Sequence, residues 1–184
     1  MKKNRAGILA GCLVLAAGLL SSAMAQGDGE IHELETNIQS RLEQHGDRVM
    51  GQNTLRWSTR LDSLDRCRAV MTVREETAMG DRTVREERVN ISLGRISWIN
   101  MDQSKKWITV PCQSADRCIT TQATCTKTTR EGVTVDCSTP GARQNAEFRL
   151  QWDGSETAGR LLERDLQRAV ALCRAPVETA SSFR

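Results

Sequence analysis

The fold is decided by residues 67–93, which read CRAVMTVREETAMGDRTVREERVNISL. Apolar and polar residues alternate on both sides of Met79-Gly80-Asp81, which is the pattern of two half-buried strands joined by a turn. Pairing residues whose numbers sum to 160 keeps the apolar side chains on one face and opposes Arg74 to Glu86. A register shifted by one residue opposes Arg74 to Arg85 and mixes the two faces. The sequence therefore predicts an antiparallel hairpin with a fixed register.

The alternation recurs on both sides of this hairpin and predicts about seven strands in all. The further strands are expected at residues 55–59, 105–112, 118–127, 133–137 and 147–152. Helical spacing of apolar residues instead predicts a short N-terminal amphipathic helix over 30–45 and a C-terminal helix that starts with Asp153 as its N-cap. The fold class is α+β, mainly antiparallel β with a packed C-terminal helix. This order is similar to the layout of pleckstrin-homology-like barrels, in which a terminal helix plugs one end of a bent sheet.

The first 25 residues are typical of a cleavable signal peptide. A positively charged start precedes an apolar run over residues 6–20, which is too short to span a bilayer comfortably, and small residues precede a cut between Ala25 and Gln26. The predicted location is periplasmic or secreted. An alternative remains open, because residues 9–12 resemble the lipobox of bacterial lipoproteins, which would anchor the chain at Cys12.

Four segments follow from these patterns. The signal peptide at 1–25 is followed by the N-terminal helix and a link at 26–56, a disulfide-stapled β domain with the C-terminal helix at 57–175, and a mobile tail at 176–184. Without residues 1–25 the chain has 23 basic and 23 acidic residues. A balanced chain lacks the cationic surface of a typical nucleic-acid-binding protein, so neither a nucleic-acid partner nor a transmembrane span is expected.

Six cysteines remain once Cys12 is removed, and an even number in an exported chain is typical of disulfides. No C-x-x-C pair is present, which argues against zinc-ribbon and thioredoxin-type sites. Six cysteines allow fifteen connectivities. Facing strands, a short turn and the remaining pair between the sheet and the C-terminal helix favour three bonds: Cys67–Cys173, Cys112–Cys118 and Cys125–Cys137.

No sequence motif specifies a catalytic mechanism, a metal site or a cofactor. The nucleophile-elbow, zinc-protease, P-loop and dinucleotide-binding motifs are all absent, and the exported part has only two histidines, His32 and His45. Most carboxylates stand beside arginines, which is typical of surface ion pairs. Arg74, Arg85 and Arg88 are a candidate anion-binding patch. The four tryptophans are expected to anchor the core, with a Trp-lined ligand groove as the alternative.

These observations favour an exported, non-catalytic binding domain of the bacterial envelope that recognises another envelope protein. An inhibitor or an immunity-type protein is one form of this hypothesis, since such proteins need a rigid stapled surface. Two alternatives remain. One is a small secreted hydrolase that uses Asp or Glu, and the other is a structural envelope protein or lipoprotein. Perturbed carboxylates clustered in one cleft would favour the hydrolase.

Overall fold

The computed structural model describes residues 29–51, 55–65, 67–114, 117–137 and 141–174. The predicted signal peptide with its cut between Ala25 and Gln26, the lipobox at Cys12 and the predicted tail at 176–184 lie outside the described residues. These three features stay predictions.

The described chain consists of two helices and ten strands, joined by short turns and one 3-10 turn at Leu93–Arg95. Helix α1 covers residues 29–45. It is followed by β1 (Asp47–Met50), β2 (Leu55–Asp65), β3 (Arg68–Met79), β4 (Asp81–Ser92), β5 (Asn100–Asp102), β6 (Trp107–Pro111), β7 (Ile119–Thr128), β8 (Thr134–Asp136), β9 (Arg143–Asn145), β10 (Glu147–Gln151) and helix α2 (Glu156–Arg174).

The ten strands form two antiparallel sheets. The large sheet has seven strands in the order β1-β2-β3-β4-β7-β8, with β9 also paired to β7, and the small sheet has the order β10-β6-β5. The predicted class, mainly antiparallel β with a C-terminal and an N-terminal helix, is confirmed. The barrel layout is not formed. Within the described residues the large sheet ends at β1 on one side and at β8 and β9 on the other, so it remains an open sheet.

The predicted register of the central hairpin is confirmed along its whole length. Residues of β3 and β4 pair with numbers that sum to 160, from Arg68 and Ser92 at one end to Met79 and Asp81 at the other. Gly80 turns the chain with a φ of +91°, a conformation that glycine adopts without a steric penalty. Opposed charges and a shared apolar face are thus sufficient to fix the pairing of these two strands.

A β-bulge adjusts β2 to this hairpin. The pairing of β2 with β3 shifts by one residue between Leu61 and Ser63. The shift keeps Leu61 and Leu64 on the same, buried face of the sheet although they are three residues apart. The amide of Leu64 donates a hydrogen bond to Glu35 Oε1 of α1 at 3.0 Å, so a helix side chain pairs with a backbone group beside the bulge.

The two helices and both sheets share one hydrophobic core. Helix α1 contributes Leu34, Ile38 and Leu42, all at most 3 % exposed, because they recur on one helical face. The helices are also joined by an ion pair, in which Arg41 Nε lies 2.8 Å from Asp165 Oδ2 of α2. The Asp165 residue is only 5 % exposed, so this pair is largely shielded from solvent. The N-terminal helix is therefore part of the same folded unit as the strands.

The six cysteines lie in three bonded pairs, which are the pairs selected from the sequence. Their Cα atoms are 5.3 Å apart for Cys67–Cys173, 5.7 Å for Cys112–Cys118 and 5.2 Å for Cys125–Cys137. The first pair ties the last turn of α2 to the turn between β2 and β3, where Cys67 has a φ of +64°. This bond determines where the C-terminal end of α2 lies on the sheet.

The start of α2 differs from the prediction. Helix α2 begins at Glu156, and the amide of Ala158 donates a hydrogen bond to Ser155 Oγ at 3.2 Å, so the N-cap is Ser155. The backbone amide of Asp153 instead donates to the carbonyl oxygen of His45 at the end of α1. Both residues are accepted N-caps, and the tertiary contact of Asp153 decides between them.

Candidate functional site

The three arginines of the predicted anion-binding patch do not share one face. Successive side chains of a strand point to opposite faces of a sheet, so Arg85 lies on the face opposite to Arg74 and Arg88. Arg74 is also within ion-pair distance of Glu86, at 3.7 Å, and Arg85 lies 3.8 Å from Glu87. The structure therefore does not assemble these arginines into a single anion site.

Three described carboxyl groups have a lowered pKa, and each has its own partner. A hydrogen bond from Arg82 lowers the pKa of Glu76. A hydrogen bond from Lys127 lowers the pKa of Asp81, and one from Ser104 lowers the pKa of Asp102. Such shifts are typical of paired surface carboxylates. Among the described residues, no three or more His, Cys, Asp or Glu side chains lie close enough together to hold a metal ion.

The two histidines lie at opposite ends of α1. His32 is exposed, and its Nδ1 lies 3.6 Å from Glu35 Oε2. His45 Nδ1 lies 3.1 Å from the carbonyl oxygen of Asp153, beside the start of α2. In the described part of the chain, the polar partner of each ring is thus a carboxylate or a main-chain oxygen. Neither contact has the geometry of a base that activates a hydroxyl or thiol nucleophile.

The sequence predicts that the four tryptophans anchor the core, and this prediction is wrong for Trp98. Trp152 is 1 % exposed and has Lys106 Nζ 5.1 Å from the centroid of its ring. Trp98 is instead 57 % exposed. Five large hydrophobic side chains are exposed among the described residues, and Trp98 is the one aromatic side chain among them. An aromatic ring offers a large contact area to a neighbour.

Trp98 lies on one side of a surface groove that runs between the extended segment 97–99 and the last turns of α2. The groove has a volume of about 410 Å³. We call it the Trp98 groove, and define it by its lining residues: Ser97, Trp98, Ile99, Gln167, Val170, Ala171 and Arg174.

The segment that carries Trp98 is held in place on both sides. After β4, the 3-10 turn leads the chain to Ile96, which is fully buried and forms an isolated bridge with Cys112. The next residue, Ser97, donates from its amide and its hydroxyl to the carbonyl oxygen of Pro111, at 2.9 and 3.2 Å. Ile99 is buried, with 3 % exposure. Trp98 is left between two anchored residues, with its own side chain in solvent.

Helix α2 forms the other wall and is bonded to the same segment. Gln167 Nε2 donates to the carbonyl oxygen of Ile99 at 2.9 Å, and Arg174 Nη2 donates to that of Ser97 at 2.5 Å. The Cys67–Cys173 disulfide fixes the last turn of α2 one residue before Arg174. Both walls of the Trp98 groove are therefore positioned by covalent or hydrogen bonds before any partner arrives.

The chain matches no protein-family model, no curated protein and no solved structure. Neither helix in the described ranges has the length and the apolar composition needed to cross a membrane.

The Trp98 groove combines an apolar floor with one exposed aromatic and one cationic side chain. Its floor is apolar, since Ile99 and Val170 are buried beneath it. Trp98 and Arg174 belong to residue types that, with Tyr, are enriched at the energetic centres of protein interfaces. Sequence reasoning did not locate this site, because the contacts of α2 with residue 97 and with residue 99 cross about seventy residues of chain. The sequence analysis gave a Trp-lined ligand groove as an alternative to core tryptophans, and the position of Trp98 resembles this alternative.

Proposed function

We propose that this protein is an exported, non-catalytic binding domain of the bacterial envelope, and that it recognises another protein through the Trp98 groove. The observation that carries the proposal is the exposed Trp98 side chain in a groove whose walls are already fixed. A binding site that needs no ordering loses less conformational entropy when a partner binds, and so keeps more of its contact energy as affinity.

The area of Trp98 that remains in solvent is large enough to support specific binding. A tryptophan side chain buries about 150–250 Å² when it is fully covered. With 57 % of Trp98 exposed, covering this exposed part would contribute about 2–3.5 kcal/mol at roughly 25 cal/mol per Å². Residues whose truncation costs about 2 kcal/mol or more dominate protein interfaces. One partner side chain packed on Trp98 therefore supplies the energy of an interface centre.

Two other features support the proposal. The described carboxylates with shifted pKa values are each paired with a neighbouring donor, which is the distribution expected of ion-paired surface groups and not of a hydrolase cleft. Three disulfides are compatible with an oxidising compartment outside the cytoplasm. An inhibitor or immunity-type protein acting on an envelope hydrolase would use such a rigid surface.

Export is tested by the intact mass of the protein purified from the bacterial envelope, with a thiol-alkylating reagent under non-reducing conditions. We expect a chain that begins at Gln26 and takes up no reagent, because all six cysteines are bonded. A lipid on Cys12, or alkylation at two or more cysteines, would contradict the proposed soluble, stapled protein.

Binding is tested by placing a photo-crosslinking amino acid at position 98 or, as a control, at position 135, in the full chain expressed in its host envelope. Val135 is also an exposed apolar residue, at 49 %, but it lies on β8 at an edge of the large sheet. We expect a defined crosslinked protein at position 98 only. The purified partner should then bind Trp98→Ala at least thirtyfold more weakly than Val135→Ala. Turnover of a cell-wall or phosphoester substrate, lost on one carboxylate-to-amide change, would overturn the non-catalytic proposal.

A further inference from the structure

We infer that the Trp98 groove selects a partner segment with a carboxylate next to a large apolar side chain. This inference rests on the proposed function, since it names the chemistry of the partner at the same site. It is carried by the charges around the groove and by the way in which Arg174 is held.

The lining of the Trp98 groove has a single sign of charge. Among the described residues that line it, Arg174 is the one charged side chain, and the others are apolar or neutral. The apolar part, formed by Trp98, Ile99, Val170 and Ala171, accommodates a hydrophobic side chain of the partner. An acidic group entering beside that side chain therefore meets a cation at the mouth of the groove and no described carboxylate within it.

Arg174 is oriented by neutral acceptors. Its Nη2 donates to the carbonyl oxygen of Ser97. The amide of Gln113 also lies beside the guanidinium, and in the orientation that satisfies both of its ends its oxygen accepts from Nη2 at 3.2 Å and from Nε at 3.3 Å. These bonds fix the plane of the guanidinium without neutralising its charge. Among the described residues, these bonds use Nη2 and Nε, so the two N–H donors of Nη1 can bind a partner. A positioned guanidinium binds carboxylates through charge-assisted hydrogen bonds, which are about twice as strong as neutral ones.

The other arginines on the outer face of α2 have acidic partners of their own. Arg160 lies 3.3 Å from Glu163, Arg164 lies 3.6 Å from Asp165, and Arg168 lies 2.6 Å from Glu30. The positive charge at this wall of the groove is therefore that of Arg174, and it exceeds the roughly half negative charge at the C-terminal end of a helix. An acidic segment is therefore attracted to this wall and a basic one is repelled, which determines partner choice and association rate.

The test uses three acetylated and amidated heptapeptides that differ at one position: Gly-Ser-Phe-Asp-Ser-Gly-Ser and its Asn and Lys counterparts. Binding to the full oxidised chain is followed by NMR through the indole N–H signal of Trp98, assigned with Trp98→Phe. We expect the Asp peptide to bind at least tenfold more tightly than the Asn peptide, and the Lys peptide most weakly. Arg174→Gln should remove the preference for Asp over Asn, whereas Arg160→Gln, on the same helix, should retain it. Arg174→Lys, which keeps the charge but loses the planar fork, should retain part of it.

The outcomes separate this inference from the proposed function. If all three peptides shift the Trp98 signal with equal affinity, the preference for an acidic partner is wrong and the binding groove remains. Tighter binding of the Lys peptide would likewise show that the preference for an acidic partner is wrong. If no peptide shifts the signal and the crosslink at position 98 is also absent, both proposals fail. A signal that moves with protein concentration alone would show that the groove is occupied by a second copy of the chain, which also overturns the inference.

Discussion

The Cys67–Cys173 disulfide should contribute more to stability than any other single covalent feature of the described chain. It joins the last turn of α2 to the turn before β3 and spans a sequence separation of 106 residues. The Cys125–Cys137 bond spans only 12 residues and joins neighbouring strands. All four cysteines are half-buried, and Cys173 also packs against the hydrophobic core. The double variants Cys67→Ala/Cys173→Ala and Cys125→Ala/Cys137→Ala compare the two loop lengths, and alanine keeps the Cβ atom at all four positions.

The expected difference follows from the entropy of the unfolded chain. A crosslink restricts the unfolded state more when it closes a longer loop, and the effect grows with the logarithm of loop length. For a separation of 106 residues the contribution is about 4.8 kcal/mol, and for 12 residues it is about 2.8 kcal/mol. We therefore expect the Cys67/Cys173 variant to be less stable than the Cys125/Cys137 variant by about 2 kcal/mol.

The measurement is urea unfolding at 25 °C, followed by circular dichroism, on the wild-type chain and the two double variants. Both variants should unfold at lower urea concentration than the wild type, and the Cys67/Cys173 variant at the lowest. Equal losses, or a larger loss for Cys125/Cys137, would refute the loop-length reasoning. The Trp98 signal should also change only in the Cys67/Cys173 variant, because this bond fixes the wall of the Trp98 groove that contains Arg174.

Two further predictions concern α2 and the charged surface of the hairpin. Replacing a helical glycine by alanine usually stabilises a helix by about 1 kcal/mol, but in Gly159→Ala the new methyl group would overlap Met101 and the ring of Trp152. We expect a loss of about 1–3 kcal/mol in thermal or urea unfolding, and a gain in stability would show that the core can move aside. A hydrogen bond from Arg82 lowers the pKa of Glu76 in the folded state. The ionised Glu76 therefore stabilises the folded protein fully at a pH above its unfolded-state pKa, and this stabilisation is lost as the pH falls through its folded-state pKa. Between pH 6 and pH 3 the free energy of unfolding of the wild type should fall by about 0.2–1 kcal/mol more than that of Glu76→Gln, which is the range for a solvent-screened surface pair. Equal decreases for the two proteins in urea unfolding would contradict this prediction.

The sequence was sufficient to predict the parts of the fold that depend on local pattern. The alternation of apolar and polar residues in β3 and β4 predicts two strands. Their register is also predictable, because a shift by one residue would oppose Arg74 to Arg85. The disulfide pairs follow once neighbouring strands are placed, since Cys125 faces Cys137 across a short turn. The short strands β1, β5 and β9 were not predicted. Each has three or four residues, which is too few for a periodic pattern to stand out from a loop. Strand β8 is as short, but it follows Gly132, whose turn marks a hairpin with β7.

The features that the sequence did not predict depend on contacts between distant segments. The cap of α2 is Ser155 because the backbone of Asp153 pairs with His45, more than a hundred residues away. Trp98 stays exposed for a similar reason. Its neighbours Ser97 and Ile99 are held by Pro111 and by α2, and no local pattern distinguishes this residue from the buried Trp152.

The position of the Trp98 groove follows from the bonds that attach the end of α2 to the rest of the protein. Helix α2 is the last described element, and its final turn must be bonded to the sheet or it would fray as helix ends do. The Cys67–Cys173 bond prevents this, and Arg174 then reaches the carbonyl oxygen of Ser97 beside Trp98. Stability and recognition are therefore coupled at one place. A partner that binds Trp98 and Arg174 should also protect the end of α2 from hydrogen exchange, because it binds the folded state alone.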